Sequence, residues 1–188
     1  KFAKESNKFH PSSPYSASKA GAEHIVNSFH KTFGLNTIIT NCTNNYGPYQ
    51  NKEKLIPKII WSAINRKKIK IYGNGKNIRD WLYVDDHCDA VYKILKNGVI
   101  GQSYNISTNS ETNNNFIARS VCKILDNKFP KKKGSYLDQI KFVKDRPGHD
   151  FRYGIDSSNI RKLGWKPKTK LIDGLQKTVE WYAKKKLF

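Results

Sequence analysis

The sequence predicts an α/β fold built around a parallel sheet, and two observations carry that expectation. Residues 14–33 bear helix signals at both ends, and the β-branched stretch Leu35-Asn36-Thr37-Ile38-Ile39-Thr40-Asn41-Cys42 follows after one glycine. A helix feeding a strand across so short a connection suggests an α/β layer. The alternation then recurs, as an amphipathic segment from Lys54 to Asn65 leads into Ile69-Lys70-Ile71-Tyr72.

Each element has a local reason. Pro14 suits a first helical turn, where its missing N–H is no loss, and Ser12 or Ser13 can cap that turn. Gly34 ends the helix. The small residues Ala17, Ala20, Gly21 and Ala22 would let another helix or a cofactor approach closely. Leu35 to Cys42 reads as a buried strand. Thr43-Asn44-Asn45-Tyr46-Gly47-Pro48-Tyr49 reads as a loop at that strand's carboxyl end, where ligands sit in open α/β sheets. Its Asn side chains can both donate and accept, and they equally suit an ordinary turn. Leu55, Ile56, Ile59, Ile60, Ala63 and Ile64 give the second helix its apolar stripe.

Ile69 to Tyr72 alternates as a short strand, and Gly73-Asn74-Gly75 predicts a hairpin back into Ile78–Val84. Asp85-Asp86 opens a helix ending at Asn97-Gly98, a position that favours helix capping over acid-base work for the two carboxylates. A strand over Ser103–Ile106, a polar stretch, a helix over 115–126 and an exposed loop over 129–138 follow. Ile155 to Ser158 caps a short helix, Leu163-Gly164-Trp165-Lys166-Pro167 is a break, and a last helix over 171–185 turns Leu175, Val179 and Trp181 inward.

Composition narrows the classes. A chain of 188 residues with 12% aromatics can build one substantial core. No run is apolar enough to span a bilayer, and Lys1 to Lys8 is no signal region, so a soluble, cytoplasmic chain is expected. Cys42, Cys88 and Cys122 are too far apart for a zinc knuckle and read as reduced, mostly buried thiols, with no metal centre expected. The net charge of +20 is spread along the chain. Its short clusters, Arg66-Lys67-Lys68, Lys131-Lys132-Lys133 and Lys184-Lys185-Lys186, fall at or beyond helix ends, where the dipole favours Lys. That weighs against nucleic acid and for attraction of a small anionic substrate.

Two stretches could carry chemistry. Tyr15 and Lys19 are four apart on the first helix and share a face, so the ammonium can favour the phenolate and make the pair a proton-transfer device. Such a pair also arises by chance in a chain rich in both residues. Asp145-Arg146-Pro147-Gly148-His149-Asp150-Phe151-Arg152 is a rigid turn whose Arg146, His149 and Arg152 could grip phosphate, or form an ordinary charged surface.

Several motifs in one order carry a resemblance: His10 to Lys19, Thr40 to Tyr49, Glu53-Lys54-Leu55-Ile56-Pro57, Ile71-Tyr72-Gly73, Ile78 to Val84, and Asp145 to Asp150. The chain resembles the C-terminal portion of the extended short-chain dehydrogenase/reductases acting on nucleotide sugars, and within them is similar to the dTDP-glucose 4,6-dehydratase branch. The resemblance implies part of a Rossmann-like doubly wound sheet in residues 1–70 and a smaller α/β nucleotide-sugar-binding domain mainly in 71–188. It implies NAD as cofactor, dTDP-glucose as substrate, a lyase of the dTDP-rhamnose pathway, and a homodimer through the helices near 15–33 and 54–66. Tyr15 and Lys19 would be catalytic and would meet the cofactor together with Asn45. Asn44, Lys54, Leu55, Tyr72, Arg79, Asn114, Arg146 and His149 would bind substrate, with Arg79 and Arg146 on the diphosphate.

Two departures qualify this. The family's Thr-Asp-Glu dehydration motif and its Gly-rich cofactor turn do not occur, so the chain reads as part of a longer enzyme. Lys70 stands where the family usually has Pro. The alternatives are a related UDP- or CDP-sugar dehydratase or epimerase, and an inactive nucleotide-binding remnant.

Overall fold

Parallel pairing, expected from the helix and strand alternation, organises the chain. A computed structural model describes residues 2–185. Helix α1 (Pro14–Phe33) leads to β1 (Ile39–Cys42) and β2 (Asn44–Tyr46), and α2 (Leu55–Ile64) to β3 (Ile69–Tyr72) and β4 (Ile78–Tyr83). Helix α3 (Val84–Asn97), β5 (Ser103–Ile106), β6 (Glu111–Asn113) and α4 (Asn114–Lys128) follow. A 3-10 turn over Tyr136–Gln139, β7 (Ile140–Val143), α5 (Ser158–Lys162) and α6 (Leu171–Lys185) complete the order. Strand β1 runs parallel to β5, β2 to β4, and β3 to β7, while β6 pairs antiparallel with β4.

Strand β4 divides two cores because side chains alternate along it. Trp81 and Tyr83 face a cluster built from Tyr46, Ile69, Ile71 and the buried sides of α2, α4 and α6. Leu82 faces the other way, toward Ala90, Ile94, Tyr104, Ile106, Ile160 and Trp165. Residues 79–83 are therefore all buried, as a strand covered on both faces must be.

Helix α1 is set by its ends. Ser13, not Ser12, caps it, with its side chain accepting from the Ser16 N–H at 3.2 Å and the Ser16 hydroxyl bonding back to Ser13. Gly34 closes it at φ 66°, a left-handed value that costs glycine little. Yet no residue of α1 is buried, and Ile25, Phe29 and Phe33 stay exposed.

The structure corrects several local expectations. Gly73-Asn74-Gly75 does not make a hairpin: β3 pairs with β7 instead. The carbonyls of Gly75 and Asn77 accept the Asn115 and Asn114 N–H groups, so this loop serves the first turn of α4. Part of the Thr43–Tyr49 loop is strand β2, recruited by β4. Strand β1 starts only at Ile39 and alternates half-buried and exposed residues, so it is not a buried strand.

Asp85 and Asp86 do not cap α3 with a side chain. The buried Asp86 instead accepts the backbone N–H groups of Lys168 and Thr169 at 3.2 and 2.8 Å, tying down the approach to α6. The 129–138 loop is not wholly exposed, because Tyr136 is buried with its hydroxyl on the Phe129 carbonyl. Only Cys122 of the three thiols is buried. Leu175 and Val179 face inward as expected, Trp181 packs half-buried on the first core and against Tyr49, and Tyr182 beside it is buried. No helix among the described residues is long and apolar enough to cross a membrane.

Candidate functional site

The end of β3 and the loop after β7 meet at Gly73. Its backbone is left-handed at φ 57°, its N–H donates to the Val143 carbonyl at 2.9 Å, and a Cβ there would lie 2.8 Å from Asp145 Oδ2. Glycine is needed so that Asp145 can close over this turn. Asp145 Oδ1 then takes the Arg146 N–H at 2.9 Å and the His149 ring at Nδ1 at 2.6 Å. The His149 bond, more than the Arg146 N–H or the nearby charges, holds the Asp145 carboxyl below the usual carboxylate range. With its side chain only 6% exposed, His149 stands edge-on to Tyr72, ring centroids 6.5 Å apart.

Arg79 lies beneath the same loop. It is buried on β4, where Nη1 donates to the Ile78 and Phe151 carbonyls at 2.6 and 3.2 Å and Nη2 to the Asp150 carbonyl at 2.7 Å. Its guanidinium covers the Tyr153 ring at 4.0 Å. Burial lowers its pKa, while the neighbouring Tyr153 and Asp150 act in the opposite sense. Arg79 thus holds the loop carrying Arg146 and His149, a post that the phosphate role alone would not give it. Arg152 is committed to Glu111 through a fork of bonds at 2.8–3.0 Å, which removes it from the expected anion grip. Arg146 remains exposed on the turn.

A second group forms at the carboxyl end of β1. The Asn45 amide donates to Cys42 Sγ at 3.5 Å, and Gln50 Nε2 donates to the Asn45 carbonyl at 2.7 Å. Asn45 Oδ1 and Thr43 Oγ1 are buried without a protein partner. Cys42 is exposed as a residue, yet crowding around its sulfur pushes the thiol pKa up, with the Asn45 bond and the Lys19 charge pulling it back. Lys19 therefore reaches this corner electrostatically. Tyr15 is 74% exposed, one turn earlier on α1.

The other expected residues lie around these groups. Asn44 and Asn45 run beside Trp81 and Leu82 in the β2–β4 pair. Asn114 opens α4 with its N–H on the Asn77 carbonyl at 3.2 Å and its buried Oδ1 unpartnered. Lys54 precedes α2, and Leu55 packs on the first core. Sequence reasoning missed Asp145, whose i,i+4 spacing to His149 was the available signal, and Gly73, whose need is visible only once β7 is placed beside β3.

The profile of the GDP-mannose 4,6 dehydratase family matches residues 1–178. A dTDP-glucose 4,6-dehydratase of Shigella flexneri is 51% identical over 179 residues, which is 95% of this chain and 49% of that protein. A crystal structure of dTDP-glucose 4,6-dehydratase from Bacillus anthracis in complex with NAD superposes with a TM-score of 0.88 at 41% identity, covering 98% of this chain and 56% of the other. A Streptomyces venezuelae dTDP-glucose 4,6-dehydratase, also solved with NAD bound, gives 0.87 at 38% identity and covers 98% and 55%. The chain thus spans about half the length of the relatives it matches. Matched over residues 1–178, with Tyr15, Lys19 and the 145–153 loop inside the match, this chain belongs to the GDP-mannose 4,6 dehydratase family.

Proposed function

We propose that this chain supplies the proton-transfer and nucleotide-sugar-binding part of an NAD-dependent dTDP-glucose 4,6-dehydratase, which forms the 4-keto-6-deoxy sugar and water. The observation that carries the proposal is the loop fixed by Arg79 and Asp145, which leaves Arg146 exposed on its turn and sets His149 edge-on to Tyr72. A diphosphate has the charge and the oxygen spacing that a guanidinium fork and an imidazole N–H bind. Asn44, Lys54, Leu55 and Asn114 complete the substrate contacts in this proposal.

Residues at the carboxyl end of β1 fit NAD. The unpartnered Asn45 Oδ1 and Thr43 Oγ1 can meet amide or hydroxyl donors, and Lys19 can hold ribose hydroxyls. When bound, NAD supplies a hydride acceptor and donor that is regenerated in each cycle. Tyr15 takes the proton of the sugar 4-hydroxyl as that carbon is oxidised. The resulting ketone acidifies the neighbouring C5–H, which is what makes loss of water across C5 and C6 possible. In the family the acid and base for that elimination are expected in a Thr-Asp-Glu motif, which does not occur in these 188 residues. The exposed faces of α1 and α2 are where a homodimer would form.

Calorimetric titration of the chain with dTDP tests this. Arg146→Ala should weaken binding by about 1.5–3 kcal/mol, the worth of a hydrogen bond to a charged group. Arg79→Ala should weaken it at least as much, because the loop loses its anchor. Failure of the folded wild-type chain to bind dTDP, or equal affinity in all three proteins, would refute the proposal.

A further inference from the structure

Two of the basic clusters, far apart in sequence, converge in space. Arg66, Lys131, Lys132, Lys133 and Gln139 line one open cavity of about 470 Å³. Gln139 staples its two walls together: its Nε2 donates to the carbonyls of Ser62, Ala63 and Lys67 at 3.2, 3.3 and 2.8 Å, and its Oε1 accepts from Lys131 Nζ at 3.3 Å. Lys131 also donates to the Ser135 carbonyl at 2.6 Å, and Lys67 stacks over the Trp61 ring at 4.4 Å. Arg66 is placed by a left-handed backbone at φ 54°, unusual for a residue with a side chain.

The nearby acids accept from neutral donors and not from these cations. Asp126 accepts from Ser135 and the Tyr136 N–H, and Asp138 accepts from the Ser135 N–H. None of the ion pairs among the described residues involves Arg66, Lys132 or Lys133. Helix-end placement explains each cluster alone, but it does not explain their convergence. Like charges around one cavity repel, and here the bonds of the Gln139 amide tie the two walls together.

We propose that this cavity is an anion site for a compact ligand carrying several phosphate charges, such as a free or nucleoside oligophosphate, separate from the loop around Arg146. Lys131 is a wall of the site, fixed by its own bonds, while Arg66, Lys132 and Lys133 are the groups that meet the ligand. A cavity of this volume lies within the range that holds small ligands. A compact polyanion can place its charges among all three groups, which an extended chain crossing an open concavity does less well.

The test titrates inorganic tripolyphosphate into the chain carrying Arg146→Gln, so that the loop proposed for dTDP is disabled. Binding should persist in that background, exceed that of orthophosphate at equal ionic strength, and fall at least tenfold when Arg66→Gln, Lys132→Gln and Lys133→Gln are added. The same three changes in an otherwise wild-type chain should leave dTDP affinity unaltered. Should the triple variant fail to fold by circular dichroism, Arg66→Gly serves: it removes the charge, suits the left-handed backbone, and should weaken tripolyphosphate severalfold. No binding in the Arg146→Gln chain, or unchanged binding in the folded variants, overturns the site. A single-stranded oligonucleotide binding more tightly than tripolyphosphate would also overturn it, in favour of a nucleic-acid surface.

Discussion

Helices α1 and α2 are made in opposite ways. The first has 20 residues, a reciprocal serine cap, proline in its first turn and a left-handed glycine at its end, yet buries none of its residues. The second has 10 residues and no side-chain cap, yet buries Ile56, Pro57, Ile59, Ile60, Ser62 and Ala63. Local signals specify α1, and tertiary packing specifies α2. Isolated helices of modest length are marginal in water, so a helix with no fully buried residue should open before one packed into the core.

The comparison is broken most forcefully at Ile60, which is fully buried. Ile60→Ala should cost about 2–5 kcal/mol of global stability in chemical unfolding, through lost transfer energy and the cavity left behind. A loss below 1 kcal/mol would mean that α2 does not anchor the core. Ser13→Ala should cost about 1 kcal/mol. Amide exchange should show that loss as faster opening of α1, with the α2 amides unaffected. Phe29→Ala, on the exposed face of α1, should change stability by less than about 0.5 kcal/mol. A larger and concentration-dependent effect would reveal that a second copy covers this face.

Two milder measurements sharpen the contrast between packed and open regions. Cys122, buried on α4 in the first core, has its thiol pushed up to about 12 by burial, ahead of the nearby Asp126. It should resist alkylation at pH 8, while the exposed Cys88 is modified, and become reactive on denaturation. At Asp145 the pKa is lowered in the fold, so the contribution of its bonds to the loop is present above the ordinary carboxylate value near ~3.9. That contribution is lost as pH falls through the lowered value. The His149 ring resonances should report loosening only in that acid range, and Asp145→Asn should remove this acid transition.

The helices were legible because their signals are local. The α1 boundaries follow from Ser13, Pro14 and Gly34, and the α2 stripe from the spacing of Ile56, Ile59, Ile60 and Ala63. Strand partnerships were not, since nothing near Gly73-Asn74-Gly75 announces that β7, some seventy residues on, will pair with β3. The same holds for Asp86, which looked like a capping residue until Lys168 and Thr169 arrived at its carboxylate. In the candidate site, residue types were readable but commitments were not. Arg152 and Arg79 resemble Arg146 in sequence, and only their contacts show that Glu111 and the 150–151 carbonyls already claim them.

Strand β4 has one more consequence. Arg79 grips the 150–151 loop from one point of this strand, and Leu82 lies beside Asn45 at another. Three residue steps of extended chain separate them, about 10 Å at the usual rise. The strand therefore acts as a ruler between the two ends of the proposed site. Inserting or deleting one residue between Arg79 and Leu82 would change that gauge length and also turn Trp81 and Leu82 toward each other's cores. The span between the loop and the Asn45 corner and the partition of the two cores are thus one and the same measurement, written in the length of a single strand.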